Sequence, residues 1–309
     1  MMHKLIFRYF WITIFTVQIV ACKKSYEEPQ KPTPPPGQEI EVEIPGNNNG
    51  NECGNFNPSF TDNSNILLGI PDDAQPCILF KEKYFIDQKY YAESYSATRG
   101  TPNWVSWHLS YSDYSSGSRK DNFRADSKLP IGFYQVSQTS YQYSGFDRGH
   151  NCPSGDRTTD PNANNATFLM TNIIPQSPKN NQGTWENMEN FIRDKYASIG
   201  YECYIIMGSY GKGGTGSSGY SDAIDNGRVT VPSNIWKIVI AIPEGNNDLS
   251  RIDANTIIIA VNTPNIQNIN SDWRNYIVTV KDIENVTGYN LLTNIPEDIR
   301  NILKIKRYN

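Results

Sequence analysis

The chain has 309 residues, with 28 Lys and Arg against 32 Asp and Glu, and a formal net charge of −4 at pH 7. This length suffices for one large or two small domains, with a core that can support a rigid site. The mild acidity excludes a general electrostatic coat for nucleic acid, so a polyanionic ligand would need a local basic site or a metal ion.

The first residues, 1–22, have the pattern of an export signal. Lys4 and Arg8 precede an apolar run from Tyr9 to Val20, which is short for a membrane span. The sequence Ile-Val-Ala before Cys22 resembles the lipobox of bacterial lipoproteins, in which the cysteine becomes the lipidated first residue. We therefore expect a lipoprotein signal peptide and an exported chain, lipid-anchored to the bacterial membrane and facing the periplasm or the cell exterior. The alternative is an ordinary signal peptide with an incidental cysteine.

Residues 23–52 are rich in Pro, Glu and Asn, and include Pro34-Pro35-Pro36. This composition cannot bury a core, so the segment is predicted to be a disordered tether. No internal repeat is visible after it. Residues 53–309 are therefore predicted to form a single α+β domain.

Four cysteines remain once Cys22 is assigned to the lipid anchor. They are Cys53, Cys77, Cys152 and Cys203. An even number in an exported chain predicts two disulfides, which four cysteines can form in three connectivities. Proximity in the sequence favours Cys53 with Cys77, which leaves Cys152 with Cys203. The alternative is a reactive Cys152 beside His150, although exported thiols usually become oxidised.

Segments rich in aromatic and β-branched residues, and short apolar runs bounded by turns, predict the strands. In chain order they are 83–94, 104–109, 141–149, 167–174, 202–208, 236–242 and 256–261. The run at 167–174 is expected to end at Pro175. The glycine-rich stretch 211–219 lacks a Ser or Thr after Lys212 and has no helix pattern after it. It is therefore interpreted as a mobile surface loop rather than a phosphate-binding loop.

The clearest helix pattern follows Gly183, with Thr184 as the candidate N-cap. Its apolar stripe consists of Trp185, Met188, Ile192 and Tyr196. Glu189 lies within this stripe, where a carboxylate needs a partner or a shifted pKa. It is either a functional acid or an edge residue whose carboxylate reaches water. Two short closing helices are predicted at 280–286 and 296–303.

Four consecutive positions, Asp147-Arg148-Gly149-His150, combine an acid, a guanidinium, a glycine and one of only three histidines in the chain. Downstream, Asn181 offers a neutral oxygen at the helix start and Glu189 a charged one. Oxygen donors with few protein contacts suit Mg²⁺, which keeps several waters and adds substrate phosphate oxygens. The histidines and unpaired cysteines are too few for a closed tetrahedral zinc site.

Three blocks occur in this order: Asp147-Arg148-Gly149-His150, Thr171-Asn172-Ile173-Ile174-Pro175-Gln176, and the run from Asn181 to Glu189. Their order and spacing resemble the DNA/RNA non-specific endonuclease family, whose members are ββα-metal, or His-Me finger, nucleases. Leu68-Gly69-Ile70-Pro71 and Trp104-Val105-Ser106-Trp107 also resemble family segments, so the resemblance covers roughly Ile66 to the last strands. It implies an α+β fold with a central, mainly antiparallel β-sheet flanked by helices and a ββα-metal active site.

The resemblance also implies roles for individual residues. His150 would be the general base, and Asn181 would bind a hydrated divalent cation directly. Glu189 would hold metal-bound waters, and Arg148 would contact the scissile phosphate. The residues that would shape the site by hydrogen bonding are Asp147 and Asn172. The cation is expected to be Mg²⁺, with Mn²⁺ or Ca²⁺ as alternatives. Taken singly, Arg148 could instead pair with Asp147, and Asn181 could be a turn residue.

The activity implied is endonucleolytic hydrolysis of DNA and RNA, without sugar or sequence preference and leaving 5′-phosphate ends. An imidazole with a pKa of about 6.5 can accept a proton from water at neutral pH, and groups that contact phosphate carry no sequence information. The alternative is a catalytically silent surface lipoprotein that binds nucleic acid or another ligand on the same scaffold.

One position departs from the family pattern. Many relatives carry an arginine after the Trp-Val-x-aromatic run, where this chain has His108. His108 would either bind phosphate more weakly and with a pH dependence, or be a hydrogen-bonded histidine on a strand face. The second interpretation is favoured.

Overall fold

The computed structural model describes residues 53–114 and 117–309. The predicted signal peptide, the predicted lipidation site at Cys22 and the predicted tether all fall in 1–52, outside the described residues. Within the described ranges, no helix combines the length and the apolar character needed to cross a membrane.

The described ranges contain thirteen strands and five α-helices. The strands are β1 (Tyr84–Asp87), β2 (Ala92–Ser96), β3 (Thr101–Leu109), β4 (Asp147–His150), β5 (Ile173–Gln176), β6 (Tyr201–Tyr210), β7 (Gly214–Gly216), β8 (Gly219–Ser221), β9 (Ala223–Ile224), β10 (Val229–Thr230), β11 (Asn234–Pro243), β12 (Ile257–Pro264) and β13 (Ile277–Val278). The helices are α1 (Pro161–Ala166), α2 (Glu186–Lys195), α3 (Asp248–Arg251), α4 (Val280–Thr287) and α5 (Glu297–Ile305). A π-helical segment, Asn180–Trp185, leads directly into α2.

One seven-stranded sheet organises the domain, in the order β1-β2-β3-β6-β11-β12-β13. Each neighbouring pair is antiparallel. The central strands β6 and β11 pair along their full length, from Tyr201 opposite Pro243 to Tyr210 opposite Asn234. Three two-stranded ribbons lie outside this sheet, namely β4–β5, β7–β8 and β9–β10. The predicted α+β class with a mainly antiparallel sheet flanked by helices is confirmed.

The sheet has an apolar core on each face. The core toward α2 includes Val105, Trp107, Leu109, Trp185 and Ile192. The opposite core includes Trp104, Ile238, Ile283 and Leu303, the last two from α4 and α5. Every residue of β3 is buried, because side chains that alternate between the faces meet a core on either side. His108 and Trp107 therefore point to opposite faces of the sheet.

Two of the predicted strands have different limits in the structure. The segment 167–174 is not one strand, because Met170–Asn172 forms a 3-10 turn and β5 begins at Ile173. Pro175 lies inside β5 rather than ending it, since an edge strand in a two-stranded ribbon tolerates a residue without an N–H. The strand predicted at 141–149 shortens to β4, because the backbone turns through positive φ at Tyr143 and Gly145.

The glycine-rich stretch 211–219 contains most of a β-hairpin, so its interpretation as a mobile surface loop is wrong. Strands β7 and β8 pair from Gly214 opposite Ser221 to Gly216 opposite Gly219. The hairpin packs backbone to backbone against Gly145, and a Cβ on Gly216 would lie 2.4 Å from the Gly145 carbonyl oxygen. The glycines permit this close approach, which an isolated sequence pattern does not reveal.

The helix before Glu189 starts earlier than predicted. The backbone is already helical at Pro178 and Lys179, before the π-helical segment, and the Asn181 amide donates to the Ser177 carbonyl oxygen at 2.9 Å. Thr184 is therefore not the N-cap. Its hydroxyl donates instead to the Asn270 carbonyl oxygen at 2.8 Å, which ties the π-helical segment to the loop before β13.

Candidate active site

The ribbon β4–β5 places the histidine motif beside the second sequence block. Arg148 lies opposite Pro175, Gly149 opposite Ile174 and His150 opposite Ile173. Gly149 has no room for a side chain, since a Cβ there would lie 2.2 Å from the Gln176 amide oxygen. The ribbon followed by the helix Asn180–Lys195 forms a ββα unit packed on the central sheet.

Two phenylalanine rings enclose the imidazole of His150. The ring centroids of Phe123 and Phe168 lie 5.3 Å and 5.0 Å from it. The Nε2 atom of His150 is buried and has no hydrogen-bond partner within the described residues, whereas the residue as a whole remains partly exposed. Burial, followed by the charges of Arg119 and Arg148, lowers the pKa of His150 to about 3. The imidazole is therefore a neutral, uncommitted base at pH 7.

Each phenylalanine ring carries a guanidinium group on its outer face. Arg148 lies over Phe123 at 4.2 Å, and Arg119 lies over Phe168 at 4.9 Å. Arg119 also donates to the Ser154 hydroxyl at 2.9 Å. The pairing of Arg148 with Asp147 that was considered from sequence is not what the structure has. The two cations instead flank the imidazole, in an arrangement suited to an anion.

Arg119 was not predicted from the sequence. The family pattern places a phosphate-binding arginine directly after the Trp104–Trp107 run, where this chain has His108. The segment around Arg119 has no periodic pattern. The only sequence signal for a phosphate-binding group there is the basic pair Arg119-Lys120 in a polar stretch. Its nearness to His150 follows from tertiary packing of a segment that sequence periodicity does not resolve.

A cavity of about 490 Å³ opens beside the histidine. Its walls include Arg119, Phe123, Tyr141, Phe146, Asp147, Arg148 and Asn181. Three separate chain segments thus contribute to one concave, polar surface, on which the guanidinium groups of Arg119 and Arg148 are accompanied by the carboxylates of Asp121 and Asp147. Burial there strengthens interactions with a bound ion.

Asp147 connects the motif to the helix. Its Oδ2 accepts hydrogen bonds from the Asn181 side-chain amide at 2.9 Å and from the Gln182 side-chain amide at 2.8 Å. The wider turn of the π-helical segment, a feature often found at functional sites, carries both amides. With its N–H held by Asp147, Asn181 keeps its side-chain oxygen available for a cation.

Glu189 has a partner that its sequence neighbours could not reveal. Its Oε1 accepts from the Lys237 ammonium group at 3.2 Å, and the side chain of Lys237 on β11 is fully buried while that of Glu189 is 15% exposed. The same ammonium lies 5.6 Å from the Trp107 ring and 4.9 Å from the Trp185 ring. Burial raises the pKa of Glu189, and Lys237 opposes that rise. Glu189 does not line the cavity, but it lies two helical turns beyond Asn181, which does.

Asn172 shapes the loop that follows His150. Its side-chain oxygen accepts from the Cys152 amide at 2.9 Å, and its side-chain nitrogen donates to the carbonyl oxygens of Cys152 at 2.9 Å and Thr167 at 2.8 Å. All these groups are buried. Asn172 therefore fixes the backbone immediately after the histidine.

The cysteine prediction is half right. Cys53 and Cys77 form a disulfide, as predicted, but Cys152 and Cys203 are free and buried, so the proposed second bridge is wrong. Both thiols lie in the apolar core that faces α2, where a cysteine packs as a small hydrophobic residue. Asn172, rather than a disulfide, clamps the loop at Cys152. Burial raises the pKa of the Cys152 thiol, which opposes its use as a nucleophile.

His108 belongs to a different cavity, of about 560 Å³, and not to the one beside His150. Its Nε2 lies 3.0 Å from Oε2 of Glu202, and Glu202 also accepts from Arg251. This is the hydrogen-bonded histidine on a strand face that the sequence favoured. A contribution of His108 to the surface around His150 is excluded by its position on the opposite face of the sheet.

The residues present fit a hydrated divalent cation. No group of three or more His, Cys, Asp or Glu side chains arranged to hold a metal occurs in 53–114 or 117–309. A cation that retains most of its waters requires only one or two protein oxygens. The oriented oxygen of Asn181, next to the carboxylate of Asp147, supplies hard donors of that type in the cavity.

Comparisons with known proteins identify the family of this chain. The model of the DNA/RNA non-specific endonuclease family matches residues 77–298. A nuclease of Nostoc sp. (strain PCC 7120) is 43% identical over 241 residues, which cover 78% of this chain and 85% of the relative. Human mitochondrial endonuclease G is 27% identical, over 58% of this chain and 59% of the relative.

The chain spans a little over half of another mitochondrial relative, nuclease EXOG of Danio rerio, which is 28% identical over 63% of this chain and 57% of its own length. The fold is shared with the crystal structure of the EndoG/EndoGI complex, with a TM-score of 0.61 at 21% identity, over 79% of this chain and 96% of the other. The extent of the family match, together with the Nostoc relative, establishes that this chain belongs to the DNA/RNA non-specific endonuclease family.

Proposed function

We propose that the protein is an endonuclease that hydrolyses phosphodiester bonds of DNA and RNA without sugar or sequence preference. The observation that carries this proposal is that the neutral imidazole of His150 is flanked by the guanidinium groups of Arg119 and Arg148, which line the adjacent cavity. A base beside two phosphate-directed cations supplies the parts that phosphodiester hydrolysis needs.

His150 acts as the general base in this proposal. Its ring is neutral at pH 7 and partly exposed, so it can accept a proton from a water molecule that attacks phosphorus. Phe123 and Phe168 hold the ring orientation, and Asn172 fixes the backbone that follows. The attack expels the 3′ oxygen and leaves a 5′-phosphate end.

Arg119 and Arg148 bind the scissile phosphate. A phosphate between the two guanidinium groups would be held by charge-assisted hydrogen bonds, and the rings beneath the guanidinium groups limit their motion. Both contacts are with the phosphodiester backbone, which is common to all sequences and to DNA and RNA. The cavity therefore selects the linkage rather than the bases.

Asn181 would hold a divalent cation through its side-chain oxygen, with Mg²⁺ as the expected ion and Mn²⁺ or Ca²⁺ as alternatives. When bound, the cation supplies positive charge to the phosphate and the leaving oxygen. Asp147 orients Asn181 by accepting its N–H, and the ammonium group of Lys237 pairs with Glu189 two turns along the helix. Glu189 would then order waters at the site.

The test is digestion of plasmid DNA and of RNA by the full chain, with and without a chelator. His150→Ala should reduce the rate by about 100-fold or more, as loss of a general base does, and the chelator should abolish cleavage. His108→Gln is the matched control, because it alters a histidine of the other cavity and should leave the rate within about twofold of wild type.

Cleavage unaffected by both the chelator and His150→Ala would contradict the proposed mechanism. Binding of nucleic acid without any cleavage would favour the second candidate, a catalytically silent surface lipoprotein on the same scaffold. The intact set of His150, Asn181 and Glu189 speaks for the enzyme.

We also propose that the chain is exported and lipid-anchored through Cys22, which the basic and apolar pattern of 1–22 supports. Expression in a bacterium with a labelled fatty acid should label the wild-type chain, whereas Cys22→Ser should be unlabelled and released from the membrane fraction. Labelling that persists in Cys22→Ser would refute the assignment.

A further inference from the structure

Tyr143 has a solvent-exposed aromatic side chain at a strained backbone position. It is 92% exposed, and its φ of 58° lies in the left-handed region. This region is disfavoured for a bulky side chain, and such residues concentrate at functional sites. The ring makes no hydrogen bond, ring contact or cation contact with any residue in the described ranges, so packing within the domain does not account for it.

The backbone on both sides of Tyr143 is hydrogen-bonded within its own turn. The Gln142 amide donates to the Thr139 carbonyl oxygen at 3.1 Å, and the Ser144 amide donates to the Tyr141 carbonyl oxygen at 3.2 Å. Tyr141 itself is buried. The exposed ring is therefore held out from a fixed turn.

The hairpin β7–β8 braces this turn from the other side. The Ser217 amide donates to the Gly145 carbonyl oxygen at 2.8 Å. Gly145, with φ of 79°, leaves no space for a side chain, because a Cβ there would lie 2.6 Å from the Ser218 amide nitrogen. The glycine-rich hairpin thus supports the turn and fixes its position relative to β4, two residues further on.

Tyr143 lies at the rim of the cavity beside His150. Its chain neighbours Tyr141 and Gln142 on one side, and Phe146 and Arg148 on the other, line that cavity. The cavity holds two guanidinium groups that can bind a phosphate, while its rim presents an aromatic ring to solvent. Phosphate and an aromatic face together are the two features by which proteins hold unpaired nucleotides.

We propose that Tyr143 is a substrate-binding residue whose ring stacks on a base next to the phosphate held by Arg119 and Arg148, which favours nucleotides whose bases are unpaired. This inference rests on the proposed function and adds a base contact to it. Stacking tolerates any base, because every base has a π face. The contact thus adds affinity for single strands and loops without adding sequence preference.

The kinetic test uses a single-stranded oligonucleotide with one cleavable phosphodiester between nuclease-resistant linkages. Tyr143→Ala should raise KM about 10-fold, the size expected for loss of one stacked base, and leave kcat nearly unchanged. Tyr143→Phe should stay within about twofold of wild type. An abasic site on the stacked side of the cleavable bond should raise the wild-type KM to the level of Tyr143→Ala and should not affect the variant further.

The binding test does not depend on cleavage. The same oligonucleotide with 2-aminopurine beside the scissile bond is titrated against His150→Ala, and stacking should quench its fluorescence. The added Tyr143→Ala change should remove the quenching, while Tyr111→Ala, a control at an exposed tyrosine whose neighbours line the other cavity, should not.

Equal effects of Tyr143→Ala on the normal and the abasic substrates would overturn the proposal, as would equal damage by Tyr143→Phe or quenching that survives Tyr143→Ala. Quenching that depends on Tyr143 in a chain that never cleaves would support the stacking contact and refute the endonuclease. If Tyr143 instead contacts a protein partner, Tyr143→Ala should have no effect in either assay, and that result would also overturn the proposal.

Discussion

Two phenylalanine rings and two guanidinium groups surround the imidazole of His150. The rings of Phe123 and Phe168 shield the imidazole from water. The guanidinium groups of Arg119 and Arg148 place positive charge close to the same ring. Both effects disfavour the imidazolium form, because burial penalises a charge and like charges repel. The ring is therefore neutral at pH 7, and in the absence of a bound phosphate its lowered pKa also makes it a weaker proton acceptor than a free imidazole.

This environment predicts a pH dependence of folding stability. The pKa of His150 is about 3 in the folded chain and about 6.5 when unfolded. Between these values the unfolded chain binds more protons, so this residue makes the free energy of unfolding rise with pH. The contribution is complete above pH 6.5 and is lost as the pH falls toward 3.

Urea denaturation of wild type and His150→Gln at pH 7 and pH 5 tests this prediction. Wild type should lose more stability between the two values than the variant does, since glutamine does not titrate. The same loss in both proteins would show that His150 is not held neutral by its surroundings.

At the scale of the element, the helix formed by Asn180–Trp185 and α2 is attached to the central sheet by one buried cation. Lys237 contacts the π-helical part through the Trp185 ring and the α-helical part through the Glu189 carboxylate. The charge of Glu189 is thus tolerated within an apolar stripe because the sheet supplies its partner. The orientation of Asn181, which lies five residues after the end of β5 at Gln176, depends on the same attachment.

Removing the charge of Lys237 should therefore destabilise the domain. Lys237→Met keeps most of the chain length but leaves the Glu189 carboxylate largely buried without its cation. We expect a loss of roughly 3–5 kcal/mol in the free energy of unfolding at pH 7, as for other broken buried pairs. Urea denaturation measures it.

The double variant Lys237→Met/Glu189→Gln is the control, because it removes both charges. It should recover a large part of the lost stability. If the double variant is as unstable as Lys237→Met alone, the ion pair is not what holds the helix, and packing of the lysine methylenes against Trp107 and Trp185 is the better account.

In the molecule as a whole, the acidic chain places two arginines beside its candidate base. The net charge of −4 offers no general attraction to a polyanion, so Arg119 and Arg148 supply it locally. The domain is closed at its N-terminal end by the bridge between Cys53 and Cys77, which joins residues 24 apart.

Loss of this bridge should lower the stability of the whole domain. Cys53→Ser/Cys77→Ser is expected to reduce the free energy of unfolding by roughly 2–4 kcal/mol, because the cross-link restricts the unfolded chain. Cys152→Ala and Cys203→Ala serve as comparisons, since neither removes a bridge. Thiol counting in denaturant without reductant should find both of these cysteines reactive, and finding neither would contradict the structure.

Local patterns predicted much of the fold. The central strands and the closing helices α4 and α5 were found because apolar and β-branched runs bury on both faces of a sheet whatever their partners. The limits of β5 were not predicted, because Pro175 is compatible with a strand only where that strand is an edge strand. The hairpin β7–β8 was not predicted either, because its glycines are needed for a backbone contact with Gly145 that the sequence does not show.

The amino-acid sequence predicted the family and the α+β class correctly, and it singled out His150, Arg148, Asn181 and Glu189 as candidate site residues, because the three blocks that contain them resemble the family in order and spacing. The contacts of these residues became clear only in the folded chain. In the folded chain Arg119 lies near His150, and Lys237 pairs with Glu189. His108 lines a different cavity, and Cys152 and Cys203 form no disulfide. Each of these facts depends on contacts between residues far apart in the chain, and local periodicity carries no information about which distant segments meet.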